Sequence, residues 1–227
     1  TGVSAPEGAP AILETARGLS VSAGLQCPWG GEREKAMANE IWFTADTHFG
    51  HGNPSGEPPS GIIKHCLRPF ADVAEMDAAL TENWNAVVRP GDQVWHLGDF
   101  SWGDHPKWLK RLNGDKHLIK GNHDKSAERA KWASVSDYRE LTLEGTQLVL
   151  FHYGMRVWKG HRRGAIHLYG HSHGRLPGFR LPGGGGCIDV GTDCWNFRPV
   201  NLEEVRQAIA ALPPVGFDVV EDGTPEG

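Results

Sequence analysis

Five times between residues 41 and 173, a short apolar run ends in histidine, aspartate or asparagine, and this recurrence constrains the fold more than any other feature. IWFTA leads into Asp46-Thr47-His48, VWHL into Gly98-Asp99, and HLIK into Gly121-Asn122-His123-Asp124. LVLF leads into His152, and AIHLY into Gly170-His171-Ser172-His173. Runs of this length, rich in β-branched and aromatic residues, read as strands, and CIDV at 187–190 reads the same way. Between them lie helical patterns. Met76, Leu80, Trp84 and Val87 form an apolar stripe behind Asp72 and Glu75, which resemble a capping box. A second helix is expected over Pro106–Leu112, with Asp104 near its start and Gly114 past its end. A third opens after Asn201, where Glu204 completes a capping box, and stops before Pro213-Pro214. Strands interleaved with helices indicate an α/β domain. Ligands collect beyond the carboxyl ends of strands in open α/β sheets, so these polar residues should meet at one sheet edge.

Composition narrows the function classes. The 227 residues are 39% hydrophobic and 22% charged, with Gly 30 and Pro 15, which suits a loop-rich soluble enzyme. A net charge of −5 and pI near 6.2 argue against a dedicated nucleic-acid binder. No apolar run approaches the roughly 18 to 20 residues of a membrane helix. Cys27, Cys66, Cys187 and Cys194 show no CxxC spacing, so a zinc-thiolate site is not expected. Reduced thiols and a cytoplasmic location are the expectation, with a Cys187–Cys194 bridge left open. Residues 1–38 are rich in Gly, Ala, Ser, Pro and Glu without a period, and read as a disordered or spurious extension. Met37, directly before the first strand, reads as a translation start. The domain proper is expected over 39–215, followed by a flexible acidic tail, 216–227.

The gathered residues share one chemistry. Aspartate, asparagine and imidazole without thiolate suit Mn²⁺, Fe, Zn²⁺, Co²⁺ or Ni²⁺, and do not suit the oxygen cage of Ca²⁺. Two apart on an extended chain, Asp46 and His48 would point to one side and grip one ion; His171 and His173 share that spacing. Asp46, His48, Asp99, Asn122, His152, His171 and His173 exceed what one tetrahedral ion needs. They fit two ions sharing a carboxylate, with Asp99 the bridge. Two ions about 3.5–4 Å apart activate water and clamp a phosphoryl group during in-line displacement.

In order and identity these motifs resemble the calcineurin-like metallophosphoesterases over roughly residues 40–205. They are most similar to small bacterial and phage members sharing a DTHFGH start, an RPF segment and an LGDF turn. The resemblance implies a four-layer α/β/β/α sandwich and a dinuclear metal centre, Mn being the first expectation. It implies that Asp46, His48 and His173 hold one ion, that Asn122, His152 and His171 hold the other, and that Asp99 is shared. A bridging hydroxide would attack phosphorus in line, hydrolysing phosphodiesters or phosphomonoesters. His123 would face the substrate and protonate the leaving oxygen or stabilise phosphoryl charge, and Asp124 would orient its ring. Gly121 would allow the sharp turn beyond its strand.

Further residues carry lesser expectations. His51 and Asn53 could line the pocket, and Arg68 could meet a substrate phosphate. His96 should pack beneath the site. The basic loop with Lys159, His161, Arg162 and Arg163 could steer an anionic substrate, and Trp158 or Trp195 could stack on a base or aryl group. The expected partner is a small phosphorylated or nucleotide-like substrate. Two other readings remain open: a nucleotidase or dinucleoside-polyphosphate hydrolase, and a scaffold that keeps the fold without the chemistry. A scaffold should have lost ligands or the substrate-facing histidine, and here all are present.

Overall fold

The parallel strand pairing follows from what lies between the strands. In the computed structural model, which describes residues 39–53, 59–125 and 127–215, β1 (Ile41–Thr44) is followed by α1 (Gly61–Cys66), α2 (Val73–Val87) and β2 (Gln93–His96). Then come α3 (His105–Leu109), β3 (Asp115–Ile119) and β4 (Ser134–Ser136). Parallel neighbours need such crossover connections, and β1, β2, β3 and β4 pair in parallel in that order. β5 (Tyr138–Leu143) and β6 (Thr146–Phe151) form an antiparallel hairpin through Glu144-Gly145. Both turn residues have positive φ, 48° and 75°, as a two-residue primed turn demands. The remaining elements are β7 (Ile166–Tyr169), β8 (Phe179–Arg180), β9 (Gly186–Asp189), β10 (Val200–Asn201) and α4 (Leu202–Ala211). The result is two five-stranded sheets, ordered β10-β1-β2-β3-β4 and β5-β6-β7-β9-β8.

Alternation along each strand supplies both faces of the core. Phe43, Trp95 and Ile119 face the inter-sheet core with Leu148, Leu150, Ile166 and Leu168, joined by Leu202, Val205 and Ile209 of α4. Their neighbours Trp42, Val94 and Leu118 face the opposite side, where Met76, Leu80, Trp84 and Trp108 from the helices cover them. Burying each such large side chain contributes about 1.5–3 kcal/mol. On the outer side of the second sheet, Val149, Trp158, Ala165, Tyr169, Leu181 and Cys187 form a third cluster. The connection after β6, with one 3-10 turn at His161–Arg163, lies alongside it.

The helix starts follow local chemistry. Asp72 accepts from Glu75 N at 2.8 Å, Asp104 accepts from Lys107 N at 3.1 Å, and Asn201 with Glu204 makes a reciprocal capping box. α3 ends at Leu109 instead of Leu112. The cysteines Cys66, Cys187 and Cys194 are free, so no Cys187–Cys194 bridge forms. Trp158 is buried and donates to Ala165 O, which makes it core rather than a stacking surface. No helix among the described residues is long and apolar enough to cross a membrane. The expectations for residues 1–38 and 216–227 lie outside the described residues.

Candidate metal centre

Just beyond β1 and β2 the two strand ends are tied together by the backbone. Asp46 N donates to Gly98 O at 2.9 Å, His48 N to Asp99 O at 3.0 Å, and Phe49 N to Phe100 O at 3.0 Å. These loops are not extended. Asp46, His48, Asp99, His171 and His173 all have positive φ, between 49° and 65°. Asp46 and His48 therefore converge because both occupy the left-handed region, and not through strand alternation as the spacing suggested. Such conformations are uncommon outside glycine and cluster where function over-determines the backbone.

Two sets of donors result. Asp46, His48 and His173 bring ligand atoms within 4.8 Å of one another, and Asp99, His152 and His171 do the same. Asp99 links the sets: its Oδ2 is 3.6 Å from His48 Nε2 and 3.6 Å from His152 Nε2. Asn122 Oδ1 lies 3.2 Å from His152 Nε2, which adds the amide oxygen to the second set. All seven residues singled out from the sequence thus come together.

The donor set fits cations on physical grounds. Asp46 Oδ1 and His48 Nε2 are buried without a hydrogen-bond partner, and an unpaired buried polar group costs about 1–3 kcal/mol. A cation would satisfy both. Outer partners fix the rings, as expected around metal ligands. His152 Nδ1 donates to Leu97 O at 2.7 Å, leaving Nε2 toward Asp99. His173 Nδ1 lies 2.7 Å from Asp193 Oδ2. Asp46 Oδ2 accepts from His171 N at 2.8 Å. Asp189 accepts from Gly174 N at 3.0 Å, Gly191 N at 2.7 Å and Ser172 Oγ, which fixes the loop carrying His171 and His173. Cys66, His173 and Asp193 also cluster, but Asp193 is already engaged by Arg68 and His173.

Burial pushes the Asp46 carboxyl well above the usual carboxylate range, against the pull of His173. Burial, with Arg68 nearby, holds His48 well below the usual imidazole value. Burial also disfavours charge on His173, but its hydrogen bond to Asp193, with Cys66 and Asp46, raises it to about 10. A cation binding at His173 would therefore displace a proton.

The expectations for Arg68, Asp124 and Gly121 need correction. Arg68 does not face the cleft. It is 4% exposed, with its guanidinium spent on Asp193, on Thr47 O at 3.0 Å and on Asp46 O at 2.6 Å. The buried Asp124 does not orient His123; its carboxylate accepts from Asp99 N at 2.7 Å, Phe100 N at 3.0 Å and Gly121 N at 2.8 Å. It thus holds the backbone of two donor loops. Gly121 is not at positive φ. A side chain there would run into Asp99 Oδ1 and His152 Cε1, so glycine is needed for space. Asn53 is exposed, its backbone N–H donating to Ser60 Oγ at 2.6 Å. Trp195 is tied down by its indole, which donates to Asp189 O at 2.8 Å.

The remaining residues mark the rim. His123 is 37% exposed, with Nε2 3.9 Å from Asp99 Oδ2 and its backbone N–H donating to Asp99 Oδ1 at 2.9 Å. His51 approaches His48, their Nδ1 atoms 3.4 Å apart. His96 is buried under the site against Thr47 Oγ1 at 2.9 Å, as expected. The sequence reading missed Asp189, Asp193, Trp102 and Tyr153. Tyr153 directly follows His152, and its ring centroid lies 4.7 Å from that of His171. Sequence adjacency to a ligand was the one signal for Tyr153; Asp189 ends β9 and Asp193 follows it, outside the recurring pattern.

Comparison with known proteins gives a consistent result. Residues 40–179 match the family described as the calcineurin-like phosphoesterase superfamily domain. An uncharacterized protein of Methanocaldococcus jannaschii is 33% identical over 179 residues, covering 75% of this chain and 91% of the relative. The gene 66 protein of Mycobacterium phage D29 is 30% identical over 207 residues, covering 76% of this chain and 96% of that protein. The crystal structure of a protein of unknown function from Aquifex aeolicus superposes with a TM-score of 0.55 at 22% identity. It covers 75% of this chain and 100% of that one, a likeness of fold.

Proposed function

The chain belongs to the calcineurin-like phosphoesterase superfamily and is a metal-dependent phosphoesterase, and from that premise we propose that it hydrolyses phosphodiesters at a centre of two divalent cations, Mn²⁺ first among the candidates. The observation that carries this reading is the position of Asp99 Oδ2, 3.6 Å from an imidazole of each donor set. Asp46, His48 and His173 would hold one cation, and Asn122, His152 and His171 the other, with Asp99 common to both. When bound, such cations lower the pKa of water and draw charge from phosphoryl oxygens.

The protein's own groups supply the rest. His123 stands at the mouth of the cleft, where its ring can give a proton to the leaving oxygen. Its backbone is fixed by Asp99 Oδ1, so proton donor and shared carboxylate keep one geometry. Asp124, holding Asp99, Phe100 and Gly121 by their N–H groups, keeps two donor loops at a constant separation. Asn122, whose side chain lies on the surface, favours a cleft open enough for a substrate with two ester arms.

The test is hydrolysis by Mn²⁺-reconstituted protein of aryl phosphodiesters, aryl phosphomonoesters, cyclic nucleotides and dinucleoside polyphosphates. Diesters should turn over fastest. His123→Ala should lower kcat by about 10²–10⁴-fold while metal content is retained. If no divalent metal raised hydrolysis of any member of the panel, the proposal would fail.

A further inference from the structure

Trp102 is a large apolar side chain left open beside the cleft. It sits in the loop after β2, where its backbone N–H donates to Phe49 O at 2.8 Å, and a Phe49–Ser101 bridge ties that loop to the Asp46–His48 segment. Its ring lies parallel to that of His51, with centroids 4.1 Å apart and 5° between planes. One face is thus backed by an imidazole, yet Trp102 remains 54% exposed. Tryptophan is on average highly buried, so an indole this open beside a donor set stands out by its position.

Its place relative to the chemistry is specific. The Trp102 centroid is 5.2 Å and the His51 centroid 6.2 Å from that of His123. His123 in turn lies 3.9 Å from Asp99 Oδ2. His123 thus neighbours both the shared carboxylate and Trp102, while His51, the other ring of the pair, abuts His48 of the first donor set, their Nδ1 atoms 3.4 Å apart. A substituent on the oxygen that His123 protonates would extend toward the indole. Trp158 cannot serve, being buried, and among the described residues no ring contact joins Trp195 to His123 as one joins Trp102.

We propose that Trp102, backed by His51, is a stacking platform for the flat base carried by a nucleoside leaving group, which departs through its sugar oxygen, so that the substrate class is nucleoside phosphoesters. This rests on the phosphoesterase reading above. A rigid, pre-stacked indole offers a π-face to any nucleobase without hydrogen-bond readout, which gives aromatic preference with little base preference.

The test is calorimetric binding of adenosine 5′-monophosphate and ribose 5-phosphate to Mn²⁺-loaded wild type, Trp102→Ala and Trp102→Phe. Wild type should prefer the nucleotide by about tenfold or more. Trp102→Ala should lose that preference with ribose 5-phosphate binding unchanged, and Trp102→Phe should keep most of it. An intact preference in Trp102→Ala, or equal weakening of both ligands, would overturn the platform. If wild type turned over an aryl diester yet bound both ligands equally or neither, the platform alone would fall. Absence of both binding and turnover would remove the phosphoesterase reading beneath it.

Discussion

Asp193 and His173 form a fixed pair: Asp193 Oδ2 lies 2.7 Å from His173 Nδ1, while Arg68 grips the same carboxylate with two N–H groups at 2.8 Å each. The pair decides which ring nitrogen is free. With Nδ1 occupied, Nε2 is left for Asp46 and His48, so ligand geometry at the first donor set depends on two residues that donate no ligand.

Removing the aspartate should therefore weaken the metal, and it also leaves the buried Arg68 guanidinium without its counter-ion. Asp193→Ala is expected to lower affinity at the first donor set by about 10–100-fold. Titration calorimetry of metal-stripped protein with Mn²⁺ should show one step weakened and the other kept. Two unchanged steps would mean that His173 is oriented by something else.

Arg68 is a stability residue on this account. Its guanidinium is buried against Asp193 and two backbone carbonyls, so Arg68→Ala strips the Asp193 carboxylate of both guanidinium bonds, leaving it His173 alone, and removes the donor to Asp46 O and Thr47 O. A loss of about 3–5 kcal/mol is expected in urea denaturation. A variant of unchanged stability with a raised KM would instead place Arg68 at the substrate.

Gly121 tests the packing of the centre. A methyl group there would push on Asp99 Oδ1, an oxygen of the shared carboxylate, and on His152 Cε1. Displacements of about 1 Å at reacting groups cost on the order of a hundredfold in rate, so Gly121→Ala should lose turnover to that extent while circular dichroism stays native. Full activity in the variant would show that the two loops can separate freely.

Asp92 carries a pH dependence away from the site. Burial opposes its charge, but the N–H groups of Glu40 and Arg89, the Arg89 side chain and the Trp42 indole hold it down to about 2. A lowered folded-state value contributes stability that is present above about pH 4 and is lost as pH falls toward 2. Asp92→Asn should be less stable than wild type by about 2 kcal/mol at pH 6, with the gap closing by pH 2 in urea melts. A gap independent of pH would point to packing alone.

How much of this was legible in the sequence varies with its physical cause. IWFTA, VWHL and LVLF show themselves because strands buried on both faces need unbroken apolar runs. β4 and β5 carry Ser134, Ser136, Arg139 and Glu140, mostly half-exposed or exposed, so neither has an apolar signature. α1 was missed because its six residues begin with a glycine and Ser60 before them makes no side-chain cap. The seven donors were readable because each follows a strand end. The roles of Arg68 and Asp124 were not, because residue type gives charge but not direction, and both turn inward to hold backbone and carboxylate groups. Trp102 gave no signal either, since exposure is a property of the folded chain.

The most direct test of the account is the number of cations the seven donors hold. Metal-stripped protein titrated with Mn²⁺, with elemental analysis of the saturated sample, should bind two ions per chain. Asp99→Ala should leave at most one, because its carboxylate stands between the two sets. Fewer than two ions in wild type, or two still held by Asp99→Ala, would contradict the shared centre.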